Sequence, residues 1–180
     1  MANGSGDFEL TVDELRVVAR YAVDSALEVL PVFEAAVPGD PRPRAAVVAA
    51  EEFVAGAPRG RLQRVTALDA HRAAKEAREL GREAAGLAAR AAGDAAAAAY
   101  LHPIAKATQV GHILRAGACA ARVAELTDPG DPEAAARSLE GARRRAGPVL
   151  VSVLRRYPPA PAGRSRVAVL MAELDAALRR

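Results

Sequence analysis

Apolar residues recur every three or four positions along most of the chain, and Pro/Gly-rich turns cut that rhythm into segments. In the first segment Leu15, Val18, Ala22, Val29 and Phe33 share one side, while Asp13, Arg16, Arg20, Asp24 and Glu28 take the other. This is the pattern of an amphipathic helix. Thr11-Val-Asp-Glu14 opens it as a capping box, in which the Thr hydroxyl accepts an amide and Glu reaches back. Pro31 lacks an N–H and predicts a kink or a split, with the second piece ending near Val37. Asp40-Pro41-Arg42-Pro43 reads as the next start signal, with Asp40 as N-cap and a helix to Ala55 bearing Val47, Val48 and Val54. A third helix from Gly60 to Leu80 carries Leu62, Val65 and Leu68, and Gly81 separates it from the next.

Between Ala84 and Arg122 the large apolar residues give way to Ala and Gly. Ala is the strongest helix former, so the stretch reads as two helices, Glu83–Tyr100 and Ile104–Leu126, parted at His102-Pro103. Ile104, Ala107, Gly111, Leu114, Ala118 and Ala121 step along one face of the second. Small side chains let helix axes approach closely, so this pair is expected to be buried. After the Asp128–Pro132 turn, Asp131 caps a helix to about Ala146. Val149, Leu150, Val153, Leu154 and Tyr157 then form an apolar stripe beyond Gly147-Pro148. Pro158 to Gly163 is a rigid connector, and Ser165 caps a last helix stepping through Val167, Leu170, Leu174 and Leu178. The expectation is an all-α, compact bundle of seven to nine helices. A flexible lead-in over residues 1–10 precedes a single helical domain over 11–180. No self-similar repeat favours a solenoid.

Composition changes the picture only modestly. The chain has 180 residues, about half of them apolar, enough for a real core. Cys119 is the single cysteine, so no internal disulfide forms, which fits a reducing compartment. The first ten residues do not resemble a secretion signal. No run approaches the ~20 apolar residues that cross a bilayer. These observations predict a cytoplasmic protein with no membrane partner. Arg outnumbers Lys 23 to 2. The accompanying wealth of Ala, Gly, Pro and Val points to GC-rich codons as the simpler cause.

Charge is unevenly spread. Residues 1–60 carry net −5 and residues 137–180 net +7. Acidic N-terminal helices packing beside basic C-terminal ones would account for this, and so would a binding surface at one pole.

Tests for chemistry return little. His71, His102 and His112 have no acidic residue at helical spacing and form no HExxH pair, so neither a metal nor a cofactor is expected. Cys119 sits among apolar neighbours without a base. Asp69, Glu83 and Asp94 read as solvated or paired carboxylates. No nucleophile elbow or phosphate loop is present, and no catalytic residue is assigned. A nucleic-acid patch would draw on Arg143, Arg144, Arg145, Arg155, Arg156, Arg164 and Arg166. Three consecutive Arg spread widely around a helix, however, and no recognition motif accompanies them.

Several blocks in order do resemble a known family. They are FELTVDELRVVARYAVDSALEVLPVFE, DPRPRAAVVAAEEF, ALDAHRAAKEA and AARAAGDAAAAAYLHPIAKATQVGHILRAGACAARV. Together they are similar to a bacterial family of all-helical, Ala-rich immunity proteins catalogued with polymorphic toxin systems, over residues 8–178. Asp40-Pro41-Arg42-Pro43-Arg44 is the most distinctive block. The family commonly has His where this chain has Asp94, a departure that speaks against a shared His cluster. The resemblance implies a protein that binds and neutralises a cognate toxin by occlusion. For a basic toxin, the expected facing surface is Asp13, Glu14, Asp24, Glu28, Glu34, Glu51 and Glu52. Nucleic acid is not the expected partner. A second copy of the chain could also pack on the small-residue helices. An Arg-mediated nucleic-acid module, and an enzyme using the three His, stay open as alternatives.

Overall fold

The helices meet at α4 (Glu83–Ala97), where every residue from Ala85 to Ala96 except Arg90 is buried. A helix apolar on all sides belongs in the interior. Ala suits that place, because each buried methyl contributes only about 0.8 kcal/mol but lets neighbours close in from every direction. The computed structural model describes residues 7–180. In it α1 (Val12–Ala36), α2 (Arg42–Val54), α3 (Arg61–Glu79) and α5 (Val110–Thr127) all pack against α4 or its immediate neighbours. The helices α6 (Ala134–Arg145) and α8 (Arg166–Arg179) close over α5, and α7 (Pro148–Leu154) joins α1 and α8. The fold is all-α, with eight α-helices among the described residues. Phe33, Phe53, Leu30, Ile113, Leu114 and Leu174 supply the bulk that Ala lacks.

The caps at Thr11 and Ser165 act as read, whereas the N-caps of α2 and α6 are Pro41 and Glu133 rather than Asp40 and Asp131. Glu14 N–H donates to Thr11 Oγ1 (3.2 Å), and Thr11 N–H donates to Glu14 Oε2 (2.9 Å), which completes the capping box. Asp40 Oδ1 accepts the Arg42 N–H at 3.0 Å. Ser165 Oγ accepts the Ala168 N–H at 3.2 Å.

Three further expectations need correction. Pro31 does not split α1, which runs unbroken to Ala36. Pro31 and Leu27, whose carbonyl loses its donor, are both exposed, so water can satisfy that carbonyl. The fifth helix starts at Val110 rather than Ile104, after two short 3-10 turns, Ala98–Tyr100 and Ala107–Gln109. The intervening backbone is pinned instead: Asp7 Oδ2 accepts from Ala105 N–H (2.7 Å), and Pro103 O accepts from Asp7 N–H (2.8 Å). In addition, His102 O accepts from the Tyr157 hydroxyl (2.9 Å). Phe8 stacks edge-on against Tyr157 at the same end, with centroids 5.0 Å apart. Residues 1–6 of the expected flexible lead-in lie outside the described residues. Lastly, the large apolar residues of α3 face outward. Leu62 and Leu68 are about half exposed (49% and 51%), while Gln63, Ala67, Ala70, Ala74 and Ala77 make the buried face. The four Ala are small enough there to bring α3 close to α4.

Candidate functional site

Two places in the fold gather functional side chains. The first is the outer face of α2. Pro41 and Pro43 preset its first turn, and Arg42 is held between Asp40 (Nε to Oδ1 2.9 Å) and Glu76 of α3 (Nη1 to Oε1 3.1 Å). Arg44 points the other way and grips Glu34 of α1 (Nη2 to Oε2 2.9 Å). Its hydrogen bonds hold the Glu34 carboxyl below the usual range. These pairs rim a shallow groove of 540 Å³ lined by Glu34, Val37, Asp40, Pro41, Arg44 and Val48. Val48 is 45% exposed. One turn further, on the same side of α2, stand Glu51 and Glu52.

The expected acidic set divides at this point. Asp13 pairs with Arg16, Glu14 with Arg156, Glu28 with Arg145 and Glu34 with Arg44. Asp24, Glu51 and Glu52 have no ion-pair partner among the described residues. The pairs Glu14–Arg156 and Glu28–Arg145 tie the acidic first helix to the basic C-terminal third. The Arg156 hydrogen bonds pull the Glu14 carboxyl down.

The Arg set is largely spent on the protein itself. Arg143 and Arg144 both hold Glu140, Arg145 holds Glu28, Arg156 holds Glu14, and Arg166 holds Glu125 and Glu173. Arg155 donates to the Arg179 carbonyl at 3.0 Å, and Arg164 makes no ion pair among the described residues. The seven do not form one solvated stripe.

The second place is a polar seam between α3, α4 and α5. Asp94, read from the sequence as a solvated or paired carboxylate, is only 4% exposed. His71 Nε2 lies 3.8 Å from its Oδ1, and Arg115 Nε lies 3.6 Å from its Oδ2. Both separations are too long for hydrogen bonds. Asp94 Oδ2, Arg115 Nε and His112 Nδ1 are buried without a hydrogen-bond partner. Gly93 makes the seam possible, because a Cβ there would sit 2.8 Å from His71 Cε1. Burial raises the Asp94 pKa, opposed by Arg115 and His71, and burial lowers that of His71. Burial, helped by Arg115, His102 and His71, brings His112 down to about 4. Burial also pushes the Cys119 thiol up to about 12. No cluster of three or more His, Cys, Asp or Glu suited to a metal occurs among the described residues. Sequence spacing missed the His71–Asp94 approach because the partners lie on different helices. A lone Asp inside an Ala run was the available signal.

His112 makes the seam sensitive to acid. Its folded pKa of about 4 lies below the unfolded value of 6.5. In that window the unfolded chain binds a proton that the folded chain does not, so stability is full above pH 6.5 and falls as pH drops towards 4. Asp94, raised by burial, acts with the opposite sign: its contribution fades as pH rises through its folded value. His112→Gln isolates the first effect. Denaturant titrations between pH 4 and 7 are expected to show a shallower slope for the variant, by on the order of 2 kcal/mol across the window after allowing for partial exposure.

Residues 9–144 match the family described as Imm-5 like putative immunity protein, and the chain belongs to that family. No curated protein and no solved structure matches it. No helix among the described residues is long and apolar enough to cross a membrane.

Proposed function

We propose that the protein binds a cognate toxin and neutralises it by occlusion, using the outer face of α2 and the groove at its start. Family membership supplies the general role. The observation that carries the location is the contrast among the charges: most of the acidic first helix is internally paired, whereas Glu51 and Glu52 are left without partners beside exposed Val48. A carboxylate pair next to an apolar groove suits a basic protein that inserts an apolar side chain between cationic groups. Leu62, Val65 and Leu68 are also exposed, on α3. Complementary charge of this kind mainly accelerates encounter, while the apolar contact sets how long the complex lasts.

Titrating the purified protein into an activity assay of the captured toxin tests the neutralising step. Inhibition that saturates at a fixed stoichiometric ratio is expected. A toxin that binds yet keeps full activity would contradict occlusion.

A further inference from the structure

A second pocket, of 250 Å³, opens where α4, α5 and the start of α8 converge. Arg90 of α4 and Arg115 of α5 both line it, with the hydroxyl-bearing Thr108 and Ser165 at its edge and Val167 and Met171 as apolar wall. Neither guanidinium donates a hydrogen bond to a protein acceptor among the described residues, and the only carboxylate near Arg115 is Asp94. Arg115 reaches no closer than 3.6 Å to Asp94, its Nε is buried without a partner, and Arg90 makes no ion pair among the described residues. Both side chains are half-buried, so their N–H groups have given up part of their water without gaining a protein acceptor. The pocket lining contains no carboxylate. Asp94 stands behind Arg115 and can offset at most one of the two charges.

Gly111 adds a specific feature. A Cβ there would lie 2.1 Å from Arg115 Nη2. The glycine therefore lets the guanidinium lie flat against α5 beside the cavity, where a side chain would push it off.

We propose that this pocket binds a small dianionic oxyanion, inorganic phosphate or the phosphate end of a small monoester, between Arg90 and Arg115. Two guanidinium forks match the planar donor geometry that phosphate oxygens accept. The volume admits one phosphate with a few further atoms and is smaller than a typical drug-sized site. The Thr108 and Ser165 hydroxyls can donate to remaining oxygens. The proposal is independent of where a toxin docks.

Thermal unfolding of the full chain, titrated separately with sodium phosphate and with glycerol 3-phosphate, tests it. Sodium chloride at matched ionic strength is the reference. A saturable rise in midpoint is expected, on the order of 5 °C at a hundredfold excess over Kd. Arg90→Gln, which breaks no ion pair, is expected to weaken the fitted affinity at least tenfold. Gly111→Ala, which favours the helix but displaces the Arg115 tip, is expected to weaken it similarly without lowering the ligand-free midpoint. Arg72→Gln, on the outer face of α3, leaves the response unchanged. A response to phosphate alone identifies the free ion, and a response to the monoester alone identifies an esterified ligand. An equal rise with chloride, or an undiminished response in Arg90→Gln, overturns the proposal.

Discussion

Reversing Glu51 and Glu52 to Lys together is expected to slow capture of the cognate toxin by ten- to a hundredfold at low salt, an effect of about the size long-range steering supplies. These carboxylates have no partner among the described residues, so the reversal breaks no internal ion pair. Folding is expected to survive, and circular dichroism checks it. The change belongs mostly in the association rate and shrinks as ionic strength rises past about 0.15 M, where the screening length is about 8 Å. The same reversal at Glu14 and Glu28 would be uninformative, because it also dismantles the ties to Arg156 and Arg145. Unchanged capture kinetics for the double variant, measured by surface-immobilised binding at two salt concentrations, would remove α2 from the interface.

The largest stability effect is expected at Asp175. It is buried on α8 and accepts from Arg179 Nε at 2.7 Å and from the Ala160 N–H at 2.9 Å. Arg179 in turn donates to the carbonyls of Leu154, Tyr157 and Pro158. One carboxylate thus fastens the Pro-rich connector and the end of α7 to the last helix. Asp175→Ala strands the Arg179 charge among those carbonyls and leaves the Ala160 amide unpaired. The expected cost is about 3 kcal/mol, read as a fall of roughly 6–12 °C in unfolding midpoint. Asp175→Asn keeps an acceptor for Ala160 and is expected to recover part of the loss. A fall within about 2 °C of wild type for the Ala variant would show the clamp to be incidental.

The clamp also marks where sequence reading stops. Thr11 and Ser165 were legible as caps because their chemistry acts within three residues. The Ala-rich segment was legible as an interior because nothing else packs so small on every side. Asp175 and Arg179 share a helical spacing that any exposed ion pair would also show, so their burial could not be seen. The outward turn of Leu62, Val65 and Leu68 was hidden for the converse reason. Hydrophobicity favours burying Leu over Ala, but Ala lines the close approach of α3 to α4, and packing distance is a property of the assembled bundle. The seam at Asp94 joins three helices separated by turns, and no local pattern records that convergence. The acidic candidates were visible as a set, but which of them are paired depends on Arg145 and Arg156 arriving from the far end of the chain.

A toxin held by this chain should be recoverable with it. Affinity capture of the tagged protein from lysate of its source organism, with and without added nuclease and followed by mass spectrometry, tests it most directly. One discrete polypeptide is expected to be retained in both conditions and depleted when Glu51→Lys/Glu52→Lys is the bait. Retention that disappears on nuclease treatment would contradict that expectation and move the binding surface to the Arg residues of the C-terminal third.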